Sequence, residues 1–270
     1  MKRILSERGA ALPSVLIMAS ILGLMALSFV QTSRQSSLAA AYETKSLSLD
    51  QAAQAGIELA LADFATAETK IPVTGAPFSF VNNGYRVTIR ITDENGKADL
   101  NMAQPPLLMR LIEDLSAASQ WPYDATAVTD AILDFRAGKP RGAFAAIDDL
   151  LKVPGVDEQL FRLLEPYITV SSLSAQINPQ TAERALLRAI PGLTPSSIDV
   201  IFNARAANKP APTPTAASVY LANRTGPFFR IQTNAVGPSG AQALRDVIVY
   251  AESGQILVIV QSRPAYAFLP

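Results

Sequence analysis

Residues 10–30 read AALPSVLIMASILGLMALSFV, and the reading of this stretch decides the architecture of the whole chain. It carries no charge over 21 residues. As a helix it would be roughly 31 Å long, at about 1.5 Å per residue, which matches a bilayer core of about 30 Å. Pro13 lies near its start, where a missing N–H is tolerated. Lys2, Arg3 and Arg8 precede it against Glu7, so the positive-inside rule keeps that flank cytoplasmic and places the rest outside. From Gln31 to about Glu68 there is no proline. Leu38, Tyr42, Leu49, Ala53, Ile57, Leu61 and Phe64 recur there mostly every third or fourth residue, which is one face of an amphipathic helix. With no breaker between the two stretches, they read as one long helix. Its first half faces lipid or other helices, and its second half packs on a soluble domain. The alternative is two helices with a bend near Ser33. Gly56 costs about 1 kcal/mol in a helix relative to alanine, so its use there points to close packing.

Composition narrows the chemistry. The chain of 270 residues has 23 basic and 23 acidic side chains, no histidine and no cysteine. Without histidine there is no Ser-His-Asp triad and no imidazole-ligated metal. Without cysteine there is no disulfide, thiolate nucleophile or zinc finger. Carboxylate, lysine and hydroxyl chemistry remains, with Asp93, Glu94 and Asp99 as the candidates for an envelope enzyme; they read better as turn residues. Zero net charge offers no general attraction to nucleic acid.

Three readings compete for the amino terminus. A secretory signal peptide has a shorter apolar run and a small-x-small cleavage site after it, whereas polar Gln31-Thr32-Ser33-Arg34 follows here. A plain signal anchor satisfies the hydropathy. The third reading places cleavage before the apolar run, after Gly9 in Glu7-Arg8-Gly9-Ala10-Ala11-Leu12. This resembles the type IV prepilin signal, in which a dedicated prepilin peptidase cuts after glycine and methylates the new terminus, here Ala10. Major pilins carry glutamate at the fifth mature position, where a carboxylate in hydrocarbon costs a few kcal/mol unless paired. Here that position is Ser14. Cleavage would divide the charge. The leader takes three basic and one acidic side chains, or +2, leaving 20 basic against 22 acidic, or −2.

Downstream, Ile71-Pro72-Val73-Thr74-Gly75-Ala76-Pro77 breaks the helix, and residues 85–92 alternate with period two as a half-buried strand with Val87, Ile89 and Ile91 on one face. Residues 93–97 form a turn. From about Ala98 to Asn208 short helices are expected over 107–115, 125–136, 147–153 and 159–164. Leu150-x-x-Val153-Pro154-Gly155-Val156 is echoed 37 residues later by Leu187-x-x-Ile190-Pro191-Gly192-Leu193. Each is an apolar helix end, a Pro-Gly turn and a second helix, and each resembles a helix-hairpin-helix unit. A helix start before the second copy is expected over 177–182. Such hairpins hold DNA phosphates with backbone N–H groups. Here Val156-Asp157-Glu158 would repel phosphate and Pro195 removes a donor, so a compact packing unit is the favoured reading and no nucleic acid is assigned. The alternative is a membrane-anchored DNA receptor of the competence type. Residues 210–214 read as a proline-rich linker, and residues 228–236, 244–250 and 255–260 as an antiparallel meander.

The order is long helix, strand, helical block, strands. It predicts an α+β fold: a pilin-like long helix packed on an antiparallel sheet, with an inserted all-α domain holding the helix-hairpin-helix-like units. The expected divisions are a leader over 1–9, a membrane helix over 10–30, a first pilin-like part over 31–97, the inserted domain over 98–209 and a second pilin-like part over 210–270.

This order resembles the minor pseudopilin K family of type II secretion systems (general secretion pathway protein K), over nearly the whole chain. The resemblance rests on Arg8-Gly9-Ala10-Ala11-Leu12, on residues 50–58 of the long helix, on residues 93–101, on Asp130-Ala131-Ile132-Leu133-Asp134-Phe135 and on residues 177–205. Family members also lack the fifth-position glutamate, so Ser14 fits. The resemblance implies no enzyme but a subunit that caps the tip of a periplasmic pseudopilus above partner minor pseudopilins I and J. It implies anchoring in the inner membrane with a cytoplasmic amino terminus and a periplasmic carboxyl-terminal domain. A tip subunit has nothing above it and needs no carboxylate to receive another amino terminus. Small residues at positions 10, 11, 19, 20 and 23 let helices approach closely. Family members with a longer helical block carry an acidic calcium loop after the segment matching Asp130 to Phe135. Here residues 136–142 are basic and short, so no cofactor and no metal ligand is assigned, and calcium rests on the resemblance alone. Asp148 and Asp149 read as helix-capping or solvated side chains.

Overall fold

The computed structural model describes residues 11–66, 70–119, 122–138, 144–252 and 255–263, without the side chains of 11–14, 252 and 255–263. Helix α1 spans Ala11–Phe64, with no break at Ser33. The chain divides into two units, Met1–Gln51 and Ala52–Pro270. In the first unit every large apolar side chain from Val15 to Val30 is exposed, and so are Leu38 and Tyr42. The predicted amphipathic face is therefore buried only from Leu49 onward; Leu38 and Tyr42 cover no core of this chain.

In the second unit the sheet follows from alternation. Strand β1 (Phe78–Asn82) pairs antiparallel with β2 (Tyr85–Asp93) across Asn83-Gly84, where φ is 48° and 81°. Asn-Gly suits this two-residue turn because both positions need positive φ. β1 adds to the expected elements, and Asn83-Gly84 is its sequence signature. Strands β3 (Ala98–Asp99) and β4 (Ile168–Thr169), also unexpected, form a small parallel pair within the helical block. Strands β5 (Phe228–Val236), β6 (Gln242–Glu252) and β7 (Gln255–Arg263) complete the main sheet in the order β1-β2-β5-β6-β7, antiparallel throughout.

Val87, Ile89 and Ile91 are at most 1% exposed, as the alternation requires. Ile57 and Ala60 of α1 share the sheet core with Ile89, Ile91, Phe229, Ile231 and Val249. Burying each such isoleucine contributes about 1.5–3 kcal/mol. Gly56 is where helix and sheet come closest. A Cβ there would lie 2.8 Å from Thr233 Cγ2 and 2.9 Å from Val87 Cγ1. Thr233 Oγ1 donates to the Ala53 carbonyl at 2.9 Å, and the rings of Phe64 and Phe229 lie 4.9 Å apart. Residues 53 to 64 thus run along the sheet from Thr233 towards Phe229.

The helical block leaves the sheet after Asp93 and returns at Phe228, between paired neighbours β2 and β5. It lies beyond the sheet end to which Phe64 points. Its helices are α2 (Pro105–Ser119), α3 (Ala125–Ala137), α4 (Glu158–Leu164), α5 (Arg184–Ala189) and α6 (Pro195–Ala206). Leu107, Leu111, Leu150, Leu160, Leu186, Leu187, Ile190 and Ile201 are fully buried at its centre.

Three expectations are corrected. The helix expected over 147–153 is a 3-10 turn, Ile147–Lys152, capped by Asp149, whose carboxylate accepts from the N–H groups of Ala145 and Ala146. The helix start expected over 177–182 is not helical. Ile177 bridges to Leu221, the side chain of Asn178 holds the N–H of Gln180, and α5 begins only at Arg184. The stretch 210–214 is no free linker. Ala211 is fully buried, its N–H donates to Gln180 Oε1 at 2.9 Å, and its carbonyl accepts from Asn223 Nδ2 at 2.7 Å.

Candidate functional site

The densest polar chemistry lies where the block meets the sheet. Glu94 is fully buried in the 3-10 turn Glu94–Gly96. Its Oε1 accepts from Arg230 Nε at 2.9 Å and Lys97 Nζ at 3.0 Å, and its Oε2 from the Thr169 hydroxyl. Arg230 Nη1 reaches Asp246 Oδ2 at 2.8 Å. Burial alone would raise the Glu94 carboxyl, but Lys97 and Arg230 outweigh it and hold the group at about 2. Burial pulls the Lys97 ammonium down, against the opposing pull of Glu94. The cluster joins the turn after β2 to β5 and β6 of the sheet and to β4 of the block.

Asp93 caps the same turn. Its Oδ1 accepts from the N–H groups of Asn95 (3.0 Å) and Gly226 (3.1 Å), and its Oδ2 from Asn178 Nδ2 at 2.9 Å. Asn95 donates to the carbonyls of Arg224 (3.1 Å) and Gly226 (2.6 Å). Asp99 accepts from the N–H groups of Asn101 and Leu173 and from the Ser172 hydroxyl. Burial pushes both aspartates up, against these hydrogen bonds. Gly96 is required here, because a Cβ would lie 2.7 Å from Thr181 Oγ1 and 3.1 Å from the Thr181 carbonyl carbon.

Glu94 is thus a turn residue as read and Asp93, the last residue of β2, caps that turn, whereas Asp99 lies in strand β3; all three are buried. Their oxygens are taken up by the fold. Arg230, Asp246, Thr169 and Asn178 belong to the same arrangement and were not singled out by sequence. The available sign was opposite charge within two otherwise apolar strands, in Phe228-Phe229-Arg230-Ile231 and Asp246-Val247-Ile248-Val249.

The hairpins have the predicted Pro-Gly geometry, with Gly155 at φ 84° and Gly192 at φ 83°. At the second, a Gly192 Cβ would lie 2.7 Å from the Ala216 carbonyl oxygen, so the turn is pressed against backbone. The helices that follow are already capped. Asp157 takes the Leu160 N–H at 2.8 Å and the Tyr123 hydroxyl at 2.7 Å, and Thr194 takes the Ser197 N–H at 3.2 Å. A phosphate at the first hairpin would meet the Asp157 carboxylate.

Gly9 and Ala10 lie outside the described residues, as do residues 139–143 of the basic loop after α3. Ser14 lies within α1. Asp149 is engaged by Lys152 Nζ at 2.6 Å, which lowers its carboxyl. Among the described residues no group of three or more acidic side chains is placed to hold a metal. The apolar part of α1 has an 18-residue window of mean hydropathy 2.0, none of it buried, so by length and composition it is able to cross a bilayer. A Cβ at Gly23 would meet nothing within 4 Å.

No family model matches the chain, and no curated protein matches it in sequence. A chain in the crystal structure of the GspK-GspI-GspJ complex, from the type 2 secretion system of enterotoxigenic Escherichia coli, is similar in structure. The TM-score is 0.57 at 15% identity, covering 83% of this chain and 100% of that one. At that identity the likeness establishes the fold, and the predicted α+β class with its pilin-like helix and antiparallel sheet stands.

Proposed function

We propose that the chain is a structural subunit of a type II secretion pseudopilus, a minor pseudopilin that caps its tip. The observation that carries this reading is topological. A mainly helical block, which also holds the short β3–β4 pair, is inserted between paired strands β2 and β5, in a fold shared with a subunit of a pseudopilin complex. The block lies beyond the end to which residues 53–64 of α1 point, so it broadens the face on which another pilin-like domain would stack.

The other parts of the reading follow from the sequence. Prepilin peptidase cuts after Gly9 and methylates Ala10. The leader stays cytoplasmic, the apolar helix anchors the chain in the inner membrane, and the domain from Ala52 onward lies in the periplasm. Ser14 replaces the carboxylate that a subunit with a neighbour above it would need. Minor pseudopilins I and J are the partners below, and the role is non-enzymatic. The divisions at 9, 30, 97 and 209 are the proposed domain limits.

Incubation of the full-length chain with prepilin peptidase, followed by sequencing of the new terminus, tests the reading. Cleavage leaving methylated Ala10 is expected, and Gly9→Ala should leave the precursor uncut. Any other terminus, or normal processing of Gly9→Ala, contradicts it. Co-purification of the processed chain with pseudopilins I and J tests the partners.

A further inference from the structure

We propose that a depression between α2, the second Pro-Gly hairpin and the start of α6 is a docking groove for an acidic amphipathic helix of a partner protein. The proposal is independent of the tip assignment and needs only the fold of the helical block. The depression has a volume of about 460 Å³. Leu115, Ala118, Leu193 and Ile198 give it an apolar lining, to which Arg110, Arg188 and Asp114 add charge. Arg110 and Arg188 are exposed, and neither has a carboxylate partner among the described residues. Arg184, one turn before Arg188, does pair, with Asp199 at 2.7 Å.

Two guanidinium groups against one carboxylate, beside apolar side chains, are complementary to an apolar stripe flanked by carboxylates. The backbone around the groove selects the form of the occupant. The lining comes from helices and one capped turn, and no strand of the fold borders it. A strand would find no edge to add to, so recognition has to run through side chains, as when a helix lies in a groove. Nucleic acid is the poorer fit. Pro195 lacks an N–H, Thr194 already holds the Ser197 N–H, and Asp114 would face phosphate.

The test uses the full chain in neutral detergent and a fluorescent synthetic helical peptide with a leucine stripe flanked by glutamates. Its lysine-flanked counterpart and a short DNA duplex serve as competing probes. The glutamate peptide should bind saturably, and Arg110→Glu with Arg188→Glu should weaken it by about tenfold or more while favouring the lysine peptide. Ala118→Arg, on an exposed helix face, should block both peptides without moving the melting temperature. Equal affinity of the parent and charge-reversed proteins for the glutamate peptide overturns the proposal. So does the absence of saturable binding at millimolar peptide, or binding of DNA in preference to it.

Discussion

Replacing Glu94 by glutamine should uncouple the two cores of the unit from Ala52 onward, and the structure sets the size of the effect. The side chain is fully buried and anchors Arg230, Lys97 and Thr169. Its carboxyl is held at about 2 instead of the ordinary 4.5. That depression corresponds to about 3 kcal/mol of stability at neutral pH, at about 1.4 kcal/mol per tenfold. Breaking a buried ion pair from one side costs about 3–5 kcal/mol, which agrees. For a unit of this size a loss of about 3 kcal/mol lowers Tm by about 6–12 °C. The pH dependence has a definite sign. A carboxyl depressed in the folded state stabilises above its unfolded value and loses that contribution as pH falls through its folded value. The gap between parent and Glu94→Gln should therefore be full between about pH 5 and 7, narrow below 4.5 and be mostly gone near 2. Asp93 and Asp99, which burial pushes up, act in the opposite sense: their contribution falls as pH rises through the window above the ordinary 3.8. Asp99 is common to both proteins and cancels in the difference, whereas Asp93 cancels except for its smallest contribution, the repulsion from the Glu94 charge that the variant removes. Thermal melts by circular dichroism at stepped pH read it directly. A Tm loss under about 2 °C at pH 7, or a gap unchanged down to pH 2, would refute the electrostatic account.

Two further outcomes follow from close contacts and a third from the chemistry of the hairpins. Gly56→Ala should gain about 1 kcal/mol in helix propensity yet destabilise by about 1–2 kcal/mol net, because its Cβ meets stiff β-branched Thr233 and Val87; a raised Tm contradicts the contact. Gly192→Ala should lose more than Gly155→Ala, about 2–3 against about 1–2 kcal/mol. Both have positive φ, but only the first drives a Cβ onto backbone, at the Ala216 carbonyl. Urea unfolding of the two variants decides it, and equal losses contradict the assigned packing. Mixed with DNA at low salt, the chain should show no salt-sensitive binding; a steep salt slope would restore the nucleic-acid reading of the hairpins.

The parts of the fold that could be read in sequence were those with a period. Val87, Ile89 and Ile91 alternate and form a buried strand face, and Ala53 and Ile57 keep the helical spacing that buries them on the sheet. The same spacing misled at Leu38 and Tyr42, because periodicity shows that a helix has an apolar face but not what covers it. Proline was ambiguous in a related way. At 210–214 it keeps the chain extended, yet Ala211 between two prolines is drawn fully into the helical core by hydrogen bonds from residues distant in sequence. The junction around Glu94 was only half legible. Its turn chemistry is local, but its partners Thr169, Arg230 and Asp246 come from segments that only the folded topology brings together.

The return of the chain at Phe228, opposite Asp93, also bears on how the protein folds. β2 is made early in the chain, but its second neighbour arrives only after residues 94–227. Loop closure by itself is not prohibitive, since each doubling of a flexible loop adds only about 0.6 kcal/mol. The hazard is the waiting time, during which β2 shows an unpaired edge of Val, Ile and Thr to other chains. A block that folds first, on its own core, ends the wait by delivering Phe228 beside Asp93. Core mutations in the block, far from the sheet, should thus appear first as aggregation of newly made chains rather than as loss of the folded structure.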